Sequence, residues 1–271
     1  MDAKKRYRLR RYLELTALVL LVVTAVTALT MAVLRGGTRP AQATEPSTLP
    51  ANPYGPEDFP TEPDGTVRCL ADGVEYGIDV SFWQGEIDWQ KVRDSGVKFA
   101  VIRLGWRSSK TGELSMDENA LKNLQGATAA GLPIGGYFFS QARTPEEAKE
   151  EAEFALKIME GYEFALPIGF DWEYMGAESR SHGVDARTLT DSAKAFCDTV
   201  EAAGHEAMIY FNPFYHDRQR MYMEELQGYH LWLAMYDSPM NYPYEVQLWQ
   251  YSCTGTVPGI TGDVDLNFLF P

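Results

Sequence analysis

Hydrophobic and polar positions fall into three regimes along the chain. Residues 15–34 (LTALVLLVVTAVTALTMAVL) carry no charge and no polar stripe. As a helix rising about 1.5 Å per residue they would reach roughly 30 Å, the thickness of a bilayer's hydrocarbon core. Residues 35–72 mix Pro, Thr, Glu and Ala without a hydrophobic period, the pattern of a semi-extended tether. From residue 73 onward short apolar runs alternate with amphipathic stretches. The runs predict strands at 76–81 (YGIDVS), 98–104 (KFAVIRL), 132–140 (LPIGGYFFS), 166–171 (LPIGFD), 206–211 (EAMIYF), 231–235, 246–251 and 263–268. The amphipathic stretches predict helices at 88–95, 117–130, 145–160, 188–203 and about 215–226. Gly131 is placed as a helix stop, and Thr144-Pro145-Glu146-Glu147 has a capping-box pattern with Pro at the first helical position. Strands alternating with helices imply an α/β protein with a parallel sheet, and eight strands imply a closed, TIM-like barrel over residues 73–271.

Charge divides the chain at the apolar run. The first 43 residues hold eight Lys/Arg against Asp2 and Glu14, so with an overall charge of −14 the remainder stands at −20. A basic flank at residues 1–14 keeps the N-terminus cytoplasmic by the positive-inside rule, making 15–34 a signal-anchor and placing the body outside the cytoplasm. Ala41-Gln42-Ala43 offers the alternative, a secreted chain cut near Ala43, but the apolar run is longer than a signal-peptide core. An acidic body excludes nucleic acid as partner, because phosphate binding needs a basic surface.

Three cysteines (Cys69, Cys197, Cys253) are too few for a disulfide scaffold and lack metal-binding spacing. Cys69 and Cys253 are the preferred pair if one forms. His182, His205, His216 and His230 are scattered, without an HExxH, so no zinc site is expected.

The chemistry is carried by carboxylates. LPIGFDWEY ends an apolar run in Asp171 and Glu173, an i, i+2 pair whose side chains share one face of a strand. Asp79 lies in the first predicted strand and Asp265 in the last. In a closed barrel these strands are neighbours, so Asp79 and Asp265 would meet across the seam with Asp171 and Glu173 opposite. Active sites of such barrels lie at the C-terminal strand ends. Four acids at one rim could bind a divalent cation, but DxE lacks the D-x-D-x-D-G loop spacing, and no metal is expected.

GIDVSFWQGEIDWQKVRDSGVKFAVIRLGW, GGYFFSQA, FDWEY and LWQYSCTGTVPGITGDVDLNFL recur in this order over residues 76–268. Together they resemble glycoside hydrolase family 25, bacterial and phage lysozymes that cleave peptidoglycan as N-acetylmuramidases. The resemblance implies an irregular barrel of five βα units followed by three strands, which agrees with the alternation above. It implies hydrolysis of the β-1,4 bond between N-acetylmuramic acid and N-acetylglucosamine in peptidoglycan glycan strands, without a cofactor. Glu173 would be the general acid/base, Asp171 its charged partner, and Asp79 and Asp265 further mouth carboxylates. Crowding by anions and aromatic walls would keep Glu173 protonated. The nucleophile is left open between the 2-acetamido group of the substrate, oriented by Asp171, and direct attack by water or a carboxylate. Phe82 and Phe138 stand where many members have histidine, which brings polar contacts at the mouth into question. Tyr137, Tyr210, Tyr236, Trp83 and Trp249 are candidate platforms for sugar rings. A monomer is expected. The rival readings are a noncatalytic wall-binding barrel, disfavoured because both DxE acids are present, and a chitinase-like enzyme, disfavoured because acids would be needed where Leu166 and Gly169 stand.

Overall fold

The computed structural model describes residues 49–63, 65–213, 221–236 and 239–271, and each of the eight predicted apolar runs is a strand in it. The barrel consists of β1 (Glu75–Val80), β2 (Phe99–Arg107), β4 (Ile134–Ser140), β5 (Ile168–Trp172), β6 (Ala207–Phe211), β7 (His230–Ala234), β8 (Leu248–Gly255) and β9 (Val264–Leu269). Neighbours from β1 through β8 pair in parallel, whereas β9 lies antiparallel to both β8 and β1. Because β1 pairs with both β2 and β9, the sheet closes. A ninth strand, β3 (Leu114–Met116), folds back antiparallel on β2 outside the ring. It was not predicted, since its three residues contain no apolar run.

Among the described residues four helices cover the strands: α1 (Trp89–Asp94), α2 (Ala120–Ala129), α3 (Pro145–Met159) and α4 (Ala186–Ala202). Asp88, Thr144 and Asp185 cap α1, α3 and α4, each side chain accepting from the backbone N–H three residues on. The predicted capping box is half formed. Thr144 caps Glu147 N, but the Glu147 carboxylate reaches back past the cap to Arg143 N at 2.8 Å. Of the predicted fifth helix, residues 214–220 lie outside the described residues, and the rest holds a 3-10 turn at Met223–Glu225.

Alternation along each strand sorts side chains into two cores. Ile78, Ile102, Phe138, Ile168, Ile209, Leu233 and Trp249 join the larger core with the helices. Phe99, Val101, Tyr137, Met208, Tyr210, Trp232 and Leu248 form a second cluster that plugs the barrel interior. Gly77 is required there, because a Cβ on it would stand 2.4 Å from the Phe99 ring. The plug leaves only the C-terminal end of the barrel for polar groups, as the layered filling of such barrels does.

The expected tether at 35–72 is corrected for its second half. Ala51 bridges Tyr244, Asn52 N donates to Pro243 O at 3.0 Å, and Tyr54 stacks on Phe270 at 4.7 Å. Phe59, 2% exposed, meets Trp249, Phe268 and Phe270 with ring centroids 5.2 to 5.9 Å apart. Phe59→Ala is expected to cost about 3–5 kcal/mol, the usual penalty for deleting a buried aromatic ring. Chemical denaturation measures it, and an unchanged midpoint would return this segment to the role of a tether. The basic N-terminus, the apolar run 15–34 and the Ala41-Gln42-Ala43 motif lie outside the described residues. Among the described residues no helix is long and apolar enough to cross a membrane.

Candidate active site

Three strands bring the four carboxylates together. Asp79 on β1 and Asp265 on β9 are direct register partners. Asp171 is on β5, and Glu173 follows immediately beyond its end. All four line one cavity of about 740 Å³, together with Tyr137, Tyr210, Tyr236 and Trp83. Trp172, between the two β5 acids, points to the opposite face, where its indole N–H donates to Ala142 O at 3.0 Å.

Asp79 is buried and strongly solvated by protein. Its Oδ2 accepts from Gln250 Nε2 at 2.6 Å and Asn267 Nδ2 at 2.7 Å. Burial still raises its carboxyl to about 6, with the Glu173 charge adding to the rise and hydrogen bonds from Asn267, Gln250 and Asp265 opposing it. Burial, then the charge of Asp79 and the hydrogen bond to it, raise Asp265 to about 8. Burial raises Glu173 to about 6, with Asp265 contributing. Asp171 is pushed well above the usual carboxylate range by burial first, then by Glu173 and Asp79, against the opposing charge of Arg103. Its Oδ1 is buried without a hydrogen-bond partner among the described residues. Of the two acids Asp171 is the more deeply buried, and burial with no donor to Oδ1 disfavours its charged form in the free site.

Four of the five predicted aromatic contacts are at the cavity. Tyr137 and Tyr210 form its floor and Tyr236 its wall, the Tyr210 and Tyr236 hydroxyls lying 3.0 Å apart. Trp83 is 74% exposed at the rim and packs on Phe82 with centroids 4.3 Å apart. The fifth, Trp249, is corrected. It is 1% exposed, donates to Met235 O at 3.0 Å and packs among Phe59, Tyr251 and Phe268. Strand alternation gives the reason: Gln250 is the inward residue of β8, so Trp249 must face out. The same rule removes Phe138 from the mouth, since it is fully buried on the helix side against Phe154. Phe82 does reach the cavity, where the Arg103 guanidinium lies 4.9 Å from its ring, a cation–π contact in place of a polar one.

Several functional neighbours were not singled out from the sequence. Arg103 pairs with buried Asp117 at 2.7 Å, and its charge opposes the rise at Asp171. Gln141 Nε2 donates to the Glu173 backbone carbonyl at 2.7 Å, fixing the turn that carries that acid. Behind Gln141, fully buried Glu151 on α3 accepts from Ser140 Oγ at 2.5 Å and pairs with Arg107 Nε at 2.6 Å. Each is a polar residue in an apolar run or on an apolar helix face, which is the signal that could have found them. The preferred Cys69–Cys253 disulfide is not formed. Cys69 Sγ donates to Ala71 O at 3.6 Å, Cys197 is on the buried face of α4, and Cys253 lies at the cavity wall. Among the described residues no group of His, Cys, Asp and Glu side chains is arranged to hold a metal ion.

The family model described as glycosyl hydrolases family 25 matches residues 78–260. Protein YegX of Escherichia coli K12 is 32% identical over 211 residues, covering 74% of this chain and 71% of its own. The autolytic lysozyme of Clostridium acetobutylicum is 29% identical, covering 70% of this chain and 54% of its own. The autolysin LytC of Streptococcus pneumoniae, solved in complex with a synthetic peptidoglycan ligand, superposes with a TM-score of 0.65 at 21% identity, covering 78% of this chain and 52% of its own. This chain thus spans about half the length of the last two, and the likeness to LytC is one of fold.

Proposed function

The chain belongs to the glycosyl hydrolases of family 25 and is a peptidoglycan-hydrolysing glycosidase of the N-acetylmuramidase type, and we propose that Glu173 is its general acid/base. The observation that carries this assignment is the Glu173 carboxyl raised to about 6 at the mouth of a cavity shared with three other acids. A carboxyl poised there is protonated often enough near neutral pH to protonate a glycosidic oxygen, and its anion can then accept a proton from water.

Asp171 is the partner acid. Its unpartnered Oδ1 is available to the 2-acetamido group of a bound sugar. Positive charge developing at the anomeric carbon would lower the Asp171 pKa and draw it toward the anion that stabilises that charge. Trp83 offers an exposed ring face at the rim, and Tyr137, Tyr210 and Tyr236 shape the floor and wall for a glycan strand. Residues 15–34 are read as a single-pass anchor with 1–14 cytoplasmic, so a monomeric barrel would work on the wall from the outer face of the membrane; cleavage near Ala43 would release it.

Digestion of purified peptidoglycan by the full chain, followed by borohydride reduction of the new ends, tests the bond assignment. Muramitol is the expected product. Glucosaminitol would overturn the muramidase reading, and binding without new reducing ends would favour the noncatalytic wall-binding barrel.

A further inference from the structure

Behind the carboxylates lies a hydrogen-bond chain whose direction is fixed at one end. The Trp232 indole can only donate, and it donates to Asn267 Oδ1 at 2.9 Å. Asn267 must therefore turn its amide N–H toward Asp79, to which it donates at 2.7 Å. Gln250 repeats the arrangement from the other side. Its Oε1 accepts from Tyr210 at 3.0 Å and from Tyr236, and its Nε2 donates to the same Asp79 oxygen at 2.6 Å. Two donors thus converge on Asp79 Oδ2. Asp79 and Asp265 face each other as register partners across the β1–β9 seam, and two adjacent carboxyl groups there ionise one at a time, so that one of them holds a proton while the other is charged. With Asp79 committed as acceptor, the proton belongs on Asp265.

We propose that Gln250 is a positioning residue: by joining the Tyr210 and Tyr236 hydroxyls to Asp79 it fixes Asp79 as the acceptor and Asp265 as the proton holder of the pair at the barrel seam. Other groups face this pair from every side. Asp171 and Glu173 stand on and after β5, Arg103 on β2, Tyr137 on β4, Tyr210 on β6, Tyr236 after β7, and Asp263 before β9. Of these only Arg103 is cationic, and it is engaged with Asp117. The amides of Gln250 and Asn267 are thus the groups that distinguish Asp79 from Asp265. Removing the Gln250 donor moves the proton toward Asp79, leaves Asp265 charged toward Glu173, and raises the pH at which Glu173 releases its own proton.

The inference rests on the muramidase reading only for its effect on turnover, and proton position is measured without turnover. The experiment is a carboxyl ¹³C NMR titration of the full chain labelled at aspartate, with resonances assigned through Asp79→Asn and Asp265→Asn. Wild type is expected to show Asp79 ionising before Asp265. In Gln250→Met the Asp79 titration moves up, the Asp265 titration moves down, and the alkaline limb of peptidoglycan digestion moves up by roughly half a pH unit or more. Should Gln250→Met fail to fold, the wild-type order decides alone. Asp265 ionising first in wild type overturns the proposal, as does a folded Gln250→Met with both titrations and the pH profile unchanged. Absence of hydrolysis with the expected titration order would overturn the muramidase reading and leave this one standing.

Discussion

Glu173→Gln is expected to lower peptidoglycan hydrolysis by about 10²–10⁴-fold or more, the contribution of a positioned general acid. The amide keeps the size of the side chain and leaves the Gln141 bond to the Glu173 backbone carbonyl untouched. What it removes is a proton that can be given to the leaving oxygen. The fall should therefore appear in kcat, with glycan binding retained. In wild type, kcat/KM should decline as pH rises through about 6, where Glu173 loses its proton. The measurement is reducing-end release across pH 4 to 8 by wild type and variant. Wild-type rates in the variant would remove Glu173 from the role, and a rate rising through pH 7 would make another group the acid.

The barrel was legible because its strands are buried on both faces and so read as continuous apolar runs bounded by Gly and capping residues. The four acids were legible for a related reason: a carboxylate inside such a run has no structural excuse. Trp249 was misplaced because aromatic character was read without the alternation that had already put Asp79, Asp171 and Asp265 on the inner face. Applied to WQY, the same alternation would have exchanged Trp249 for Gln250; applied to DLN, it would have selected Asn267. The segment at 49–72 was unreadable for another reason. Its anchors, Tyr54 and Phe59, are single aromatics in a Pro-rich background and make no period. The proton arrangement depends on which atoms face each other, and no spacing rule encodes it.

Neutralising the cluster should stabilise the fold while impairing the site. Asp79, Asp171, Glu173 and Asp265 all have carboxyls raised in the folded state, and Glu151 is raised to about 7, by burial first in every case. A folded chain that holds protons more tightly than the unfolded chain is favoured below the unfolded value, near 4. It loses that advantage as pH climbs through the folded values, here from about 6 to about 8 for Asp79, Glu173 and Asp265. The carboxylates with lowered values, Asp88, Glu146, Glu147, Asp185 and Glu225, act with the opposite sign and weaken the fold only at acid pH. Wild type should accordingly melt at a lower temperature at pH 8.5 than at pH 5. Asp265→Asn replaces the proton holder with an amide that still donates to Asp79 at any pH. Tenfold in proton affinity is worth about 1.4 kcal/mol, and water at the open mouth screens part of it. The expected gain at pH 8.5 is therefore on the order of 2 kcal/mol, or roughly 4–8 °C for a domain of this size, with little change at pH 5. Calorimetry at both pH values measures it. A variant destabilised at pH 8.5 would mean that the Asp265 charge is compensated in the fold, and the site would then lack the electrostatic strain that keeps its acid protonated.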